Sequence, residues 1–279
     1  MIRVILQGRT GNNLFQYAAG RALALRHRTE LVLDGSWADK IIERQFRHLL
    51  RLPIQATYER RHTWFKRITR KIVGIGPASF HLGPVFIDDT YVTRPDLHHA
   101  PDNAMLIGFY QSSDHFSDFS DTIRNELDPS HIQIPGKSFL FEEQLRSKTT
   151  VSIHIRRGDY LNIGTTQCLD NDYHERAIQY LQQRFENLQF CVFSDEIDWC
   201  RSRFSGSEFL FSDFKDAALD PLHDIRLMSS CSHHIIANSS YSWWGAWLNP
   251  KAGKTVISPA IWMTGVPANG IIPSDWVQL

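Results

Sequence analysis

Two adjacent arginines follow a predicted β-strand near the middle of the chain. Apolar and polar residues alternate through VSIHI (151–155), as they do along a strand, and Arg156 and Arg157 come directly after it. A guanidinium group stays charged at any working pH, and its fork of donors matches phosphate oxygens. Buried charges need partners, so the arginines indicate either a diphosphate site or a scaffold ion pair between Arg157 and Asp159. Because one aspartate does not easily satisfy two guanidinium groups, we expect at least one arginine to bind phosphate.

A glycine turn near the N-terminus has a related arrangement. In GRTG (8–11), Gly8 and Gly11 flank a turn between a predicted strand and a predicted helix. Backbone N–H groups at a helix start attract phosphate. The turn matches neither the dinucleotide-binding pattern nor the P-loop pattern, so a tight turn that binds nothing is the alternative.

A serine-rich stretch follows another apolar strand, in IIANSSYSWWGAW (235–247). Ser239, Ser240 and Ser242 are expected to cap the helix that begins there, which is the default role of serine at such a position. Capping does not exclude a ligand, and the same hydroxyls could donate to phosphate oxygens. The tryptophans of this stretch are expected to pack in the core rather than to stack on sugars.

Acidic residues occur at two further places that could bind a ligand. Asp224 lies in DPLHDIRLMSSC (220–231), whose apolar spacing predicts a helix with a buried face. Its carboxylate either binds the N1–H and amine edge of guanine or pairs with Arg226. DND (170–172) has the form of a metal-bound nucleotide-sugar motif, but Asp is also a favoured helix cap and a predicted helix follows.

Alternating strands and helices must position these residues. The chain opens with a strand, a turn, a helix and a strand, which predicts a parallel sheet with helices packed on it. A further strand and two helical stretches follow a less regular segment; these elements are predicted at 104–110, 113–127 and 137–148. A second alternating run starts at residue 149.

Two such runs predict two α/β domains that face each other across a cleft. The boundary region is 128–150, and we place the domains at 1–148 and 149–279. In open α/β sheets, ligands bind beyond the carboxyl ends of the strands, where the arginines, the glycine turn and the serines are predicted to lie.

Composition and charge exclude several classes of protein. Thirty Lys and Arg residues balance thirty Asp and Glu residues, so no general nucleic-acid binding is expected. The cysteines form no CxxC pair, which fits reduced thiols in a reducing compartment. We expect a cytoplasmic protein, because the first residues lack signal-peptide features and no apolar run approaches the roughly 18–20 residues of a membrane helix. The basic stretch RRHTWFKRITRK (60–71) is either a solvated helix face or a weak peripheral contact with the inner face of the membrane or with an acceptor.

Several motifs occur in order along nearly the whole chain: GRTGNNLFQYAAGRALA (8–24), GFYQSSDHF (108–116), HIRRGDY (154–160), FSDEIDWC (193–200) and ANSSYSWWGAWL (237–248). Together they resemble glycosyltransferase family 11, in particular its bacterial α1,2-fucosyltransferases. The usual opening of this family has Gln where this chain has Asn13, which is a mild departure.

The resemblance implies a fold, a reaction and partners. The fold would be GT-B-like, with two Rossmann-like domains and the nucleotide bound mainly by the C-terminal one. The reaction would be an inverting transfer of L-fucose from GDP-β-L-fucose to a galactose-containing glycan, without a cofactor or a divalent metal. Another GDP-sugar-dependent transferase of different linkage, or a non-catalytic nucleotide- or glycan-binding protein, are the alternatives.

The resemblance also implies roles for individual residues. Arg156 would contact the β-phosphate as a catalytic residue. Asp159, as the carboxylate nearest to the arginines in the sequence and not by the resemblance, would be the general base or would orient Arg156 or Arg157. The donor-binding residues implied by position in the motifs are Gly11, Asn12, His154, Arg156, Arg157, Asp224, Ser239 and Ser240. Among them, His154 and Asp224 would contact guanine or ribose, the serines phosphate, and Gly11 and Asn12 would face the donor.

Overall fold

The computed structural model describes residues 1–36, 40–59, 83–88, 95–158, 169, 171–214, 220–263, 266–268 and 270–279. The chain divides into two compact units, Met1–Asp128 and Pro129–Leu279. Basic segment 60–71 and Asp159 lie outside the described residues.

The first unit is a parallel sheet with helices. Its strands pair in the order β3-β2-β1-β5-β4, and each neighbouring pair is parallel. The strands are β1 (Ile2–Ile5), β2 (Leu31–Asp34), β3 (Thr57–Glu59), β4 (Val85–Asp88) and β5 (Met105–Gly108). The helices are α1 (Thr10–His27), α2 (Lys40–Leu49) and α3 (Ser120–Glu126), with 3-10 turns at Pro95–His99 and Ser113–Phe119.

The second unit is also built on a parallel sheet with helices. Its main sheet has the order β13-β10-β9-β6-β7-β8, again with parallel neighbours. The main-sheet strands are β6 (Thr150–Ile155), β7 (Gln189–Ser194), β8 (Phe209–Phe211), β9 (His233–Ile235), β10 (Val256–Ser258) and β13 (Val277–Gln278), and β11 (Ile261–Met263) and β12 (Val266–Pro267) form an antiparallel pair. The helices are α4 (Gly136–Arg146), α5 (Asn171–Gln182), α6 (Ile197–Arg203), α7 (Pro221–Ser229) and α8 (Ser240–Trp247), after a 3-10 turn at Pro129–His131.

The predicted alternation of strands and helices in both runs is confirmed. Every residue of β6 is buried, as expected for a parallel strand covered on both faces. The segment read as irregular, 35–103, nevertheless contains α2, β3 and β4. Strands β3 and β4 are short, lie at the two edges of the sheet and lack a long apolar run. Their sequence pattern is therefore weak.

The division between the units falls within the predicted boundary region but earlier than residue 148. Helix α4 belongs to the second unit because its buried Glu142 pairs with Arg226 of α7, at 2.7 Å between Oε2 and Nη2. Nη1 of Arg226 also donates to the carbonyl oxygen of Ser130, at 3.2 Å. The connecting segment is therefore tied to the helix that carries Asp224.

Sheet order fixes where a ligand can bind in each unit. In the first unit the chain moves from β1 to β2 and β3 on one side, and β5 lies on the other side of β1. In the second unit β6 lies in the same way between β7 and β9. At such switch points the loops after the two neighbouring strands separate, which opens a crevice at the carboxyl edge of the sheet.

Other predictions about the core are also confirmed. Trp243 and Trp244 are fully buried, and their rings pack edge to face at 5.0 Å between centroids. Cys191, Cys200 and Cys231 are buried free thiols, whereas Cys168 lies outside the described residues. Within the described part of the chain, none of the helices has the length and apolar character needed to cross a membrane.

Candidate active site

The two arginines lie at the switch point of the second sheet. Strand β6 ends at Ile155, and Arg156 and Arg157 follow it at the carboxyl edge, between the ends of β7 and β9. The side chain of Arg156 is 20% exposed, so the guanidinium is accessible from solvent without being free to move. A small recess lies beside them, lined by Ile155, Arg156, Arg157, Leu169, His174 and Trp199.

Carboxylates from the end of β7 hold both arginines. Nη1 of Arg156 lies 3.0 Å from Oδ2 of Asp195, and Nε of Arg157 lies 3.3 Å from Oε2 of Glu196. The guanidinium carbon of Arg157 also lies 3.9 Å from the ring centroid of Trp199. Arg157 is therefore bound into the scaffold, as one sequence-based interpretation expected, but its carboxylate partner in the described structure is Glu196. The expected partner, Asp159, lies outside the described residues.

The backbone after β6 is pinned to the same aspartate. The N–H of Arg157 donates to Oδ1 of Asp195 at 3.1 Å. A Cβ atom at Gly158 would lie 2.7 Å from Oδ2 of Asp195, so a side chain at this position would force that carboxylate to shift. Asp195 thus fixes both the loop and the direction of the Arg156 side chain.

His154 is a buried, neutral side chain next to the arginines. It is 4% exposed, and its ring centroid lies 5.7 Å from that of Tyr241. The pKa of His154 is lowered to about 3, mainly by burial and to a smaller extent by the nearby positive charge of Arg156. Its Nδ1 atom has no hydrogen-bond partner among the described residues. A neutral imidazole at the strand end is therefore available for a polar contact.

The serine loop after β9 begins helix α8. Ser239 is the N-cap residue, and its Oγ accepts a hydrogen bond from the N–H of Tyr241 at 3.3 Å, so the predicted capping role of Ser239 is confirmed. Ser240 is the first helical residue, and Oγ of Ser242 donates to the carbonyl oxygen of Ser239 at 3.2 Å. The first turn of α8 thus faces the same switch point as the arginines, at the end of the strand next to β6.

Tyr241, in the first turn of α8, contacts both β6 and α7 at this edge of the sheet. Its hydroxyl donates to the carbonyl oxygen of Pro221, the first residue of α7, at 2.6 Å. Burial raises the pKa of Tyr241 well above its usual value, and the negative charge of Asp224 adds to the increase. The positive charge of Arg156 acts on the same hydroxyl in the opposite direction. Arg156 and Asp224 therefore lie within electrostatic reach of one side chain.

Asp224 lies in the first turn of α7, which Asp220 caps by accepting from the N–H of Leu222 at 3.1 Å. The alternative in which Asp224 pairs with Arg226 is wrong. Arg226 instead makes a bidentate contact with Glu142, because these side chains leave α7 on the side that faces α4. Asp224 is partly exposed, and its Oδ1 atom lies near Nδ1 of His223.

The glycine turn of the first unit is a tightly bonded structure. Gly8 has φ +70°, a conformation that favours glycine, and α1 begins two residues later at Thr10. Oδ1 of Asn12 accepts from Nε2 of Gln111 at 2.8 Å, and Nε2 of Gln16 donates to the carbonyl oxygen of Gly108 at 2.8 Å. These bonds join the first turns of α1 to the end of β5 and to the loop that follows it, at the switch point of the first sheet.

The structure brings most of the predicted site together. His154, Arg156, Arg157, Asp224, Ser239 and Ser240 lie at one edge of the second sheet, while Gly11 and Asn12 belong to the first unit. The described residues contain no group of three or more His, Cys, Asp or Glu side chains placed to hold a metal ion, and Asp170 of the DND motif lies outside them.

Sequence reasoning missed Asp195, Glu196, Tyr241 and Gln111. The signal for Asp195 and Glu196 was present in FSDEIDWC, since polar residues directly after an apolar strand had identified Arg156 by the same rule. Tyr241 and Gln111 carried no local signal.

This fold defines a class of protein. Two units of parallel strands and helices, with polar loops at the carboxyl edges, form a GT-B-like glycosyltransferase fold. The crystal structure of the NodZ α-1,6-fucosyltransferase soaked with GDP-fucose matches with a TM-score of 0.52 and 12% identity, over 89% of this chain and 92% of that one. A glycosyl transferase family 9 protein from Veillonella parvula matches with a TM-score of 0.50 and 9% identity, over 100% and 86% of the two chains.

Sequence comparison gives the family. Residues 93–277 match glycosyl transferase family 11, and the chain belongs to that family. An α-1,2-colitosyltransferase of Escherichia coli is 31% identical over 98% of this chain and 97% of its own length. The O-antigen biosynthesis glycosyltransferase WbnK of Escherichia coli is 27% identical over 98% and 99%. Galactoside α-(1,2)-fucosyltransferase 1 of Sus scrofa is 29% identical over 54% and 44%.

Proposed function

We propose that this glycosyltransferase transfers L-fucose from GDP-β-L-fucose to a galactose residue of a glycan and forms an α1,2 linkage, in the synthesis of a surface polysaccharide. The proposal is based mainly on one observation: Arg156 and the capped first turn of α8 both lie at the switch point of the second sheet, after the neighbouring strands β6 and β9. The names of the pig and bacterial relatives support the α1,2 linkage, and the O-antigen relative supports a polysaccharide product.

Donor binding would use the carboxyl edge of the second sheet. The diphosphate would lie between Arg156 and the N-terminus of α8, where backbone N–H groups and the hydroxyls of Ser239 and Ser240 can donate to it. The guanine edge would meet the carboxylate of Asp224, and neutral His154 would contact the base or the ribose. Gly11 and Asn12 of the first unit would face the donor, as the family resemblance implies.

Catalysis would rest on charge stabilisation. As the bond to GDP breaks, negative charge grows on the β-phosphate while the fucose ring becomes oxocarbenium-like. A fixed guanidinium stabilises that charge more in the transition state than in the ground state, and each ~1.4 kcal/mol gained is a tenfold increase in rate. Arg156 would be this group, since Asp195 holds its direction. Arg157 would support the loop from its contacts with Glu196 and Trp199.

The acceptor hydroxyl needs a base on the opposite face of the sugar, because the transfer inverts the anomeric carbon. Asp159 is the proposed base, since it is the carboxylate next to the arginines in the chain. Its alternative role is to orient an arginine. Asp159→Asn separates the two roles: loss of a base lowers kcat at unchanged donor KM, whereas loss of an orienting contact raises donor KM.

A second function is favoured by a specific observation. The relative that is 31% identical over nearly its whole length is a colitosyltransferase, which suggests colitose, the 3-deoxy form of L-fucose, as the transferred sugar. Both reactions would use the same diphosphate and base contacts and would differ at the hydroxyl on C3 of the sugar.

An acceptor panel with each donor tests the proposal. Purified protein is incubated with GDP-fucose, GDP-colitose or UDP-galactose and with galactose-terminated glycans, and release of the nucleoside diphosphate (GDP or UDP) and product linkage are measured. We expect GDP-fucose to be used with formation of an α1,2-linked product. Preference for GDP-colitose would select the second function. Tight GDP binding without transfer to any acceptor would favour the non-catalytic alternative.

A further inference from the structure

The carboxylate of Asp224 is held by side chains from two elements. Its Oδ1 atom accepts a hydrogen bond from Oγ of Ser212 at 3.3 Å and lies 3.1 Å from Nδ1 of His223. Ser212 directly follows β8, and His223 precedes Asp224 in the first turn of α7. A carboxylate offers about four acceptor positions. In the described structure these two partners use Oδ1, so the positions of Oδ2 are left for a ligand.

The surroundings of His223 indicate which of its ring nitrogens carries the hydrogen. The residue is 2% exposed, and the ring of Phe214 packs against it edge to face at 5.4 Å between centroids. Its Nε2 atom is buried and has no hydrogen-bond partner among the described residues. Because a buried N–H without an acceptor is costly, we assign the proton to Nδ1. The Nδ1–H of His223 then donates a hydrogen bond to Asp224.

We propose that His223 is a positioning residue for recognition of the nucleotide base. Its Nδ1–H fixes the Asp224 carboxylate so that Oδ2 meets the N1–H and amine of guanine, which favours a guanine nucleotide over a pyrimidine one. The inference rests on the proposed function, in which Asp224 binds the guanine edge. When a partly exposed side chain is fixed before the ligand binds, the entropic cost of binding is smaller. The hydrogen bond from Ser212, which follows β8, helps to fix the same carboxylate.

A purely structural role for His223 makes a different prediction. If the ring only fills space beneath Phe214, phenylalanine is a close replacement that also removes the unpaired Nε2 atom. His223→Phe would then keep nucleotide binding and leave thermal stability unchanged or raise it. The positioning role predicts instead that this variant folds well but binds GDP weakly.

Calorimetric titration of GDP and UDP into the full chain distinguishes these roles. For His223→Phe we expect GDP binding about tenfold weaker, UDP binding unchanged, and a raised KM for GDP-fucose with kcat near that of the wild type. His223→Asn should restore GDP binding, because its amide N–H can take the place of Nδ1–H. Asp213→Asn is the matched control: its carboxylate pairs with Arg201 at 3.1 Å, and its loss should leave both affinities unchanged.

Asp224→Asn separates failure of this inference from failure of the proposed function. If that variant loses the preference for GDP while His223→Phe keeps it, the role of His223 is overturned and the guanine contact stands. If Asp224→Asn keeps the preference, the guanine contact itself is wrong, and the inference fails with it. Should His223→Phe not fold, Ser212→Ala and His223→Asn decide. Weaker GDP binding in Ser212→Ala together with wild-type binding in His223→Asn supports the inference, and any other pairing overturns it.

Discussion

At the scale of single residues, two neighbouring side chains with the same charge have different environments. Arg157 stacks on Trp199 and pairs with Glu196, so its planar group is used by the scaffold. Arg156 pairs with Asp195 at the switch point of the sheet. An incoming diphosphate would compete with Asp195 for Arg156, whereas at Arg157 it would have to displace both Glu196 and the stacking on Trp199.

Lysine substitutions test this difference. Lysine keeps the charge but loses the planar fork, so Arg156→Lys should lower kcat by about 10²–10³-fold while the protein stays folded. Arg157→Lys should keep most of the transfer activity and lose about 0.5–1 kcal/mol of stability, since stacking on Trp199 weakens. Steady-state kinetics and melting curves of the two variants, measured side by side, check both statements. Near-wild-type turnover in Arg156→Lys would remove this arginine from the mechanism.

At the scale of elements, α4 and α7 are joined by a buried ionic group. Glu142 of α4 is fully buried and accepts from Arg226, Arg146 and Ser230. Burial by itself raises the pKa of the Glu142 carboxyl, but the hydrogen bonds from Arg226 and Ser230 outweigh it and leave that pKa below its ordinary value. The contact fixes the helix on which Asp224 and His223 lie.

Removal of this carboxylate should be strongly destabilising. Glu142→Gln leaves the charge of Arg226 poorly paired, and we expect a loss of about 3–5 kcal/mol in the free energy of unfolding. Glu143→Gln is the matched control: its side chain is 55% exposed, and its loss should change stability by at most about 0.5 kcal/mol. Because the native pKa is lowered, the contribution of Glu142 is present above pH 4.5 and is lost as the pH falls through the native pKa. Urea unfolding of both variants at pH 7 and pH 4 measures it; equal stabilities of the two variants at pH 7 would contradict the assignment.

At the scale of the whole molecule, the second unit contains buried histidines that are neutral. Burial lowers the pKa of His154 to about 3, and burial also lowers the pKa values of His233 and His234. The unfolded chain takes up these protons near pH 6.5, and the native chain does not. Their contribution to stability is therefore complete above pH 6.5 and is lost as the pH falls towards the native pKa values.

Acid should therefore destabilise the second unit well above the pH at which carboxyl groups titrate. Tryptophan fluorescence follows this unit, which holds Trp199, Trp243, Trp244, Trp247, Trp262 and Trp276. We expect the urea midpoint to fall between pH 7 and pH 5, and to fall less steeply in His154→Gln because one linked proton is removed. The exposed His131 provides the control, since His131→Gln should keep the wild-type slope. A slope unchanged in His154→Gln would show that this histidine is not buried as a neutral group.

A further whole-molecule prediction concerns divalent metals. If arginine, hydroxyl and backbone N–H groups supply the charge stabilisation, transfer should survive EDTA. Turnover is measured with dialysed protein in the presence and absence of the chelator. If EDTA abolished transfer and Mg²⁺ or Mn²⁺ restored it, the prediction would be wrong, and the DND motif at 170–172 would be the candidate metal site.

The sequence by itself determined the elements and their class. The alternation of strand and helix patterns located most strands of both units, although not β3 and β4, and the polar residues after β6 and β9 marked one edge of the second sheet. The family could also be read from the sequence, because its motifs occur in order along the chain. These signals are local, and a periodic pattern survives in the sequence whatever packs against it.

Only the tertiary structure decided which side chains pair. One of the two interpretations in each case paired Arg157 with Asp159 and Asp224 with Arg226, since neighbours in sequence are the obvious partners. In the structure Arg157 pairs with Glu196 because β6 lies next to β7, and Arg226 pairs with Glu142 because α4 packs on α7. Sheet order and helix packing join residues far apart in the chain, and no local pattern records them. For the same reason, the sequence did not predict the hydrogen bond of Tyr241 to Pro221 or that of Gln111 to Asn12.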